Sequence, residues 1–150
     1  MLELVPVNKE ITVESRAGAS TPVVVFDLSG AQTRAVADAL AFYHHRRFAT
    51  GELDADSALA MYAVAAVSDQ LGPLVAADGH STPRLDAPGV GILAEAVNLY
   101  LAERDDDEYQ PPEERGRLEL LRPLSEPLRD LVVELRAAEQ RLARGGCCAR

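Results

Sequence analysis

The chain has 150 residues, of which 47% are hydrophobic and 26% are charged, and its formal net charge is −9 at pH 7. This composition is that of a globular protein and excludes a disordered or fibrous chain. The negative charge argues against general binding to nucleic acid or to anionic membranes, because both attract basic surfaces. Its length is typical of one domain, which we predict over residues 1–144, with a flexible tail at residues 145–150.

The two ends of the chain suggest its compartment. The N-terminal sequence MLELVPVNKE lacks the basic segment and the continuous apolar segment of a secretory signal, so we expect a cytoplasmic protein. Cys147 and Cys148 are adjacent in the predicted tail, where they cannot form a disulfide framework or supply enough ligands for a metal. Reduced, exposed thiols are expected, and a redox-labile contact between chains is the alternative. No cofactor and no metal site are predicted.

Three segments near the N-terminus predict strands. Residues 2–7 and 11–15 alternate between apolar and polar side chains, which favours a hairpin. After a predicted loop at residues 18–22, the sequence VVVFDL at residues 23–28 is apolar on both faces except for Asp27, as in a central strand covered by helices. A small, mostly antiparallel three-stranded sheet follows from this pattern.

Four helices are predicted after the sheet, which gives an α+β fold. Ser29 and Gln32 have the spacing of a capping box at the start of the first helix. Gly72 and Pro73 are expected to end the second helix, and Pro123 to keep the last one from starting before Ser125. The predicted ranges are residues 30–48, 56–71, 91–104 and 125–144.

The second predicted helix contains ten consecutive apolar residues, ALAMYAVAAV, at residues 58–67. Its alanine, leucine and methionine favour a helix, and a helix that is apolar on every face needs cover on every face. We therefore predict that residues 57–71 form the fully apolar central helix around which the others pack. Ten residues rise only about 15 Å, half of a hydrocarbon core of roughly 30 Å, so membrane insertion is not expected.

A hydrophobic strand that ends in an aspartate is a distinctive local motif. The sequence VVVFDLSG at residues 23–30 resembles the first motif of the haloacid dehalogenase-like phosphohydrolases, a strand ending in FDLDG. The resemblance implies a small Mg²⁺-dependent hydrolase or phosphotransfer enzyme with Asp27 as its nucleophile. Ser29 stands where that family has a second aspartate, and no later predicted strand carries the remaining motifs. Catalysis by Asp27 is the alternative to a non-catalytic protein.

The first predicted helix ends in the local basic cluster of the chain, His45, Arg46 and Arg47, preceded by His44. Positive charge is favourable at the C-terminal end of a helix, which explains the cluster without any ligand. Adjacent helical residues point about 100° apart, so the two histidines cannot chelate one metal. The cluster is a candidate site for phosphate or acidic groups and, as a second alternative, for nucleic acid bound by a regulator.

A second group of candidates lies in the irregular segment at residues 74–91. Asp78, His80 and Ser81 occur in the sequence DGHSTPR, and long connections in compact domains are often functional. GHSTP begins like a nucleophile elbow, but Pro83 occupies the position where that turn requires glycine. Hydrogen bonding within the loop is the expected role of Ser81.

The last predicted helix carries leucines at three- and four-residue spacing, namely Leu128, Leu131, Leu135 and Leu142. Such a stripe packs on the core of its own chain or pairs with a second copy. These features together predict a non-catalytic protein-interaction or regulatory module, with homodimerisation through these leucines as a hypothesis. The expected partner is a protein or a second copy, and neither a membrane nor nucleic acid is expected.

Overall fold

A computed structural model describes residues 11–16, 19–25, 27–48, 55–77, 82–104 and 110–148. Within these ranges it confirms the predicted α+β class, with a three-stranded antiparallel sheet and four helices. In chain order the elements are β1 (Ile11–Arg16), β2 (Ala19–Val25), α1 (Gly30–Phe48), α2 (Ala55–Ala77), β3 (Arg84–Leu85), α3 (Ala87–Arg104) and α4 (Pro112–Cys148).

The sheet has the order β1-β2-β3, with both neighbouring pairs antiparallel. The strand predicted at residues 2–7 lies outside the described residues, and the third strand here is β3, whose two residues were too short a signal to predict. The loop predicted at residues 18–22 is wrong, because β2 already begins at Ala19. Pro22 can occupy this strand because β3 pairs only with Val24 and Val25, so Pro22 has no described ladder partner on that side.

Helix α1 has the predicted bounds and the predicted cap. The backbone N–H of Ser29 donates to Oε1 of Gln32 at 3.0 Å, and the N–H of Gln32 donates to Oγ of Ser29 at 3.1 Å. These reciprocal bonds satisfy donors that the first turn of a helix otherwise leaves unpaired. Val36, Ala39 and Leu40 then face the core with 2% exposure or less.

Helix α3 is the central helix of the fold. It contacts α1, α2, α4 and β3, and Val90, Ala96 and Val97 are completely buried. It begins at Ala87 rather than at the predicted residue 91, because Asp86 caps it: Oδ1 of Asp86 accepts the N–H of Gly89 at 3.0 Å. This cap uses residues that the prediction assigned to an irregular segment.

The complete burial predicted for α2 is wrong. Val64, Val67 and Leu71 are buried against the core, but Leu59 and Tyr62 are 69% and 79% exposed. Helices α1 and α3 cover one side of α2, and no described element covers the opposite side. A helix that is apolar all round is buried all round only where other elements surround it.

Prolines do not end the helices where the sequence predicted. Helix α2 continues through Pro73 to Ala77, and α4 runs from Pro112 to Cys148 instead of from residue 125 to residue 144. Each internal proline removes one backbone hydrogen bond at a cost of about 3 kcal/mol. Burial of a leucine side chain contributes about 1.5–3 kcal/mol, and α4 buries six leucines to 3% exposure or less, so packing outweighs the loss. These are Leu118, Leu121, Leu124, Leu128, Leu131 and Leu135.

Candidate functional site

Asp27 follows β2 and precedes the cap of α1, and its side chain is half-buried. It already interacts with another group of the chain. Among the described residues, no group of three histidine, cysteine, aspartate or glutamate side chains could hold a metal ion. Asp27 is therefore not part of such a group within the described residues, and it stays a sequence-based candidate.

His45, Arg46 and Arg47 are exposed at the C-terminal end of α1, as the sequence predicted. Arg46 is already engaged, because it forms an ion pair with Glu103 of α3 and its guanidinium lies 5.6 Å from the ring centre of Phe42. The guanidinium of Arg47 lies 5.8 Å from the ring centre of Tyr43. These contacts tie the basic cluster to its own chain and lower its availability for an anionic ligand.

Asp78, His80 and Ser81 lie outside the described residues. The segment that follows them is held close to α2 by an amide side chain. Nε2 of Gln70 donates to the carbonyl oxygen of Arg84 at 2.8 Å, and Oε1 of Gln70 accepts the backbone N–H of Arg84. Gln70 thus pairs with the backbone of β3 as a neighbouring strand would.

The leucines proposed as a dimer seam are core residues of this chain. Leu128 is 3% exposed, and Leu131 and Leu135 are completely buried. Leu142 is half-exposed near the end of α4. The first three leucines pack against the core of their own chain, so an exposed seam through them is wrong.

A polar cluster that the sequence did not reveal joins α1, α3 and α4. The hydroxyl of Tyr100 donates to Oε1 of Glu114 at 2.6 Å, and Nη1 of Arg117 donates to the same hydroxyl at 2.9 Å. Arg117 also donates to Glu114 at 2.8 Å and to Asp38 at 3.1 Å. Burial, followed by the bond to Glu114, raises the pKa of Tyr100, while the bond to Tyr100 is the main cause of the raised pKa of Arg117.

A second tyrosine links α1 to α3. The hydroxyl of Tyr43 donates to Oε2 of Glu95 at 2.5 Å. Burial, followed by this hydrogen bond, raises the pKa of Tyr43 to about 12. Tyr43 and Tyr100 are therefore protonated donors at neutral pH, and their geometry fastens helices together rather than providing a base or a nucleophile.

The most unusual surface of the described chain is formed by α2. We define the α2 surface as the exposed side chains of Ala58, Leu59, Tyr62, Ala65, Ala66 and Asp69. Five of these six residues are apolar or aromatic, and Asp69 carries the one charge. By length and composition alone, residues Ala58–Ala76 would suffice to cross a membrane, and 17% of the most apolar window in this helix is buried.

Two open grooves flank the α2 surface. The groove between α1 and α2 has a volume of about 490 Å³ and is lined mainly by apolar side chains, including Leu40, Met61 and Val64. The groove on the other side has a volume of about 290 Å³, and Glu95, Arg136 and Glu139 give it a charged rim. The sequence predicts the apolar run of α2 but not this exposed surface, because a run without polar positions carries no sign of which face is exposed.

Comparison with described protein families, with curated proteins and with solved structures gave no match to this chain.

Proposed function

We propose that this protein is a non-catalytic interaction module whose docking site is the α2 surface. The observation that carries the proposal is the exposure of Leu59 and Tyr62, at 69% and 79%, on a helix with ten consecutive apolar residues. Full burial of a leucine side chain is favourable by about 1.5–3 kcal/mol, and tyrosine is enriched where proteins meet. A contiguous apolar surface with a polar edge is typical of an interaction site.

A protein partner fits the α2 surface better than a lipid bilayer. The opposite side of α2 is part of the core through Val64, Val67 and Leu71, so α2 could cross a membrane only by leaving the fold. The net charge of −9 also opposes approach to an anionic membrane surface. The cytoplasmic location proposed from the sequence is compatible with such a partner.

The other candidate residues support a function less directly. Asp27 has no described acidic cluster around it, and Arg46 is already paired with Glu103. The α2 surface, in contrast, exposes its large side chains without any described contact to another element on that side. An interaction role is therefore the function with the strongest support from the geometry.

Site-specific photocrosslinking in the cells that naturally make this protein tests the proposal. A photoreactive phenylalanine derivative at Tyr62 is expected to give an adduct of defined mass with a protein, either a second copy or another chain. The same group at Arg129, an exposed position on α4, is the matched control and is expected to give none.

Absence of any protein adduct at Tyr62 contradicts the proposal, as does equal adduct formation at both positions. Flotation of the unmodified protein with phosphatidylcholine vesicles, without a protein adduct, would assign the α2 surface to lipid and would also overturn it.

A further inference from the structure

We infer that the occupant of the α2 surface is a second copy of this chain, with the two α2 helices packed antiparallel about a two-fold axis between Ala65 and Ala66. This inference rests on the proposed interaction function and names its partner. It replaces the leucine seam of α4, whose central residues Leu131 and Leu135 are inside the core.

The charge distribution favours this place for contact between two copies. Each copy carries a net charge of −9, so most pairs of surfaces repel each other at close range. Helix α2 has 23 residues but only two charged side chains, Asp56 and Asp69, and the stretch from residue 58 to residue 68 has none. An acidic copy can therefore approach α2 with little electrostatic cost.

The antiparallel arrangement gives the single charge of the α2 surface a hydrogen-bond partner. Tyr62 and Asp69 are seven residues apart, nearly two helical turns, so they lie on the same face. They also lie at equal distances on either side of the point between Ala65 and Ala66. The two-fold axis then places the hydroxyl of Tyr62 opposite the carboxylate of Asp69 in the second copy, so that each of the two hydroxyls donates to a carboxylate.

A parallel arrangement is disfavoured by the same two residues. It would bring the two Asp69 carboxylates face to face, and like charges in direct opposition destabilise a contact. It would also leave the Tyr62 hydroxyls opposite each other without a carboxylate to accept their hydrogen bonds. The sequence of the α2 surface is thus complementary to itself in the antiparallel direction only.

The side chains beside the axis are small enough for close contact. Ala65 and Ala66 lie at the centre, where small residues let two helices approach. In this register Met61 lies within two residues, about 3 Å along the helix axis, of Gly72 of the second copy. A Cβ atom added to Gly72 would meet nothing within 4 Å. Met61 and Gly72 both line the groove between α1 and α2, so the contact also fills part of that groove.

The size of the contact sets the expected strength. Helix α2 is about 35 Å long, and one face of it offers a strip roughly 10 Å wide. Such a strip is smaller than the roughly 800 Å² per partner of a standard interface. We expect a reversible, concentration-dependent dimer.

Sedimentation equilibrium of the full reduced chain, from micromolar to millimolar concentration, is the first test. Tyr62→Glu places a second carboxylate opposite Asp69 and is expected to weaken dimerisation at least about tenfold. Adding Asp69→Lys places opposite charges across the axis in place of the original hydrogen bond and is expected to recover most of the affinity. Val133→Glu, at a 68% exposed position on α4, is the matched control and should leave dimerisation unchanged.

Cysteine crosslinking tests the direction of the helices. In a Cys147→Ser, Cys148→Ser background, Ala66→Cys is expected to form a disulfide between copies, because it lies next to the axis. Ala58→Cys is expected to form none, since two such positions lie about 22 Å apart in the antiparallel dimer, beyond the reach of about 7 Å between Cα atoms. Circular dichroism checks that every variant keeps its helices.

Three results overturn the inference: a monomer at every concentration, no recovery in the double variant, or a disulfide through Ala58→Cys in place of Ala66→Cys. A monomer whose Tyr62 position still crosslinks to a different protein would leave the proposed interaction function standing and refute only the second copy as partner.

Discussion

Helices α2 and α3 have similar compositions but opposite positions in the molecule. Both are rich in alanine and aliphatic residues, and α2 has the longer uninterrupted apolar run. Yet α3 is the buried centre, with Val90 and Val97 fully inaccessible, whereas α2 exposes Leu59 and Tyr62. Apolar composition thus indicates a helix that needs cover, but it does not say whether the same chain supplies it.

The difference comes from what surrounds each helix. Helix α3 lies against α1, α2 and α4, and polar bonds fasten it, including Tyr100 to Glu114 and Ser125 to Asn98. Helix α2 lies against α1 and α3 on one side, where Gly89 of α3 allows close approach to Val67. The cover that α2 lacks within its chain is what the proposed second copy would provide.

The largest expected difference between the two helices is the change in unfolding free energy when a carboxylate is introduced into each of them. Val97→Asp places a carboxylate at a fully buried position of α3 and is expected to cost about 4 kcal/mol or more of unfolding free energy. Ala65→Asp makes the same chemical change on the exposed side of α2 and is expected to change it by about 0.5 kcal/mol or less. Urea unfolding below the dimerisation range measures both, and equal losses would break the comparison.

A medium effect is expected from the polar cluster that fastens α3. Arg117→Met leaves Glu114, whose side chain is only 15% exposed, and Tyr100 without their cationic partner. We expect a loss of about 2–3 kcal/mol, because a partly buried carboxylate is left uncompensated. Arg115→Met, at an exposed position of the same helix, is the control, and urea unfolding measures both. A loss no larger than that of the control would show that packing alone holds α3.

The smallest of these effects depends on pH. The folded state raises the pKa of Tyr43 to about 12 from an ordinary value of 10, so it binds this proton more tightly than the unfolded state does. The resulting stability is complete below pH 10 and is lost as the pH rises from 10 to about 12, on the order of 2 kcal/mol. Tyr43→Phe should remove this part of the alkaline loss, as measured by urea unfolding at pH 8 to 12. An unchanged alkaline loss in Tyr43→Phe would contradict the assignment to Tyr43.

Local patterns predicted much of the fold. The start of α1 follows from Ser29 and Gln32, whose reciprocal hydrogen bonds join residues only three positions apart. The alternation in β1 predicted its first residues, Ile11 onward, and the fold class followed from strands that precede helices. Short-range interactions dominate at these places, so the sequence alone is informative.

The candidate site was less predictable. The sequence singled out the apolar run of α2 and the leucines of α4. It predicted complete burial for the first, which is wrong, and it left open whether the second packs on its own core or pairs with a second copy. Leu131 and Leu135 meet the core because α4 continues through Pro123 and Pro127, which local propensity argues against. The cluster of Asp38, Tyr100 and Arg117 joins residues up to 79 positions apart, and no local pattern announces it.

The sequence by itself determined the fold class, the start of α1 and the acidic, globular character of the protein, since these depend on composition, periodicity and contacts within a few residues. The tertiary structure decided which apolar helix is central, how far α4 extends and which surface is left for a partner. Those features depend on packing between distant segments. In α4 the free energy of burying leucines outweighs the local cost of the prolines, and around α2 the described elements cover only one face.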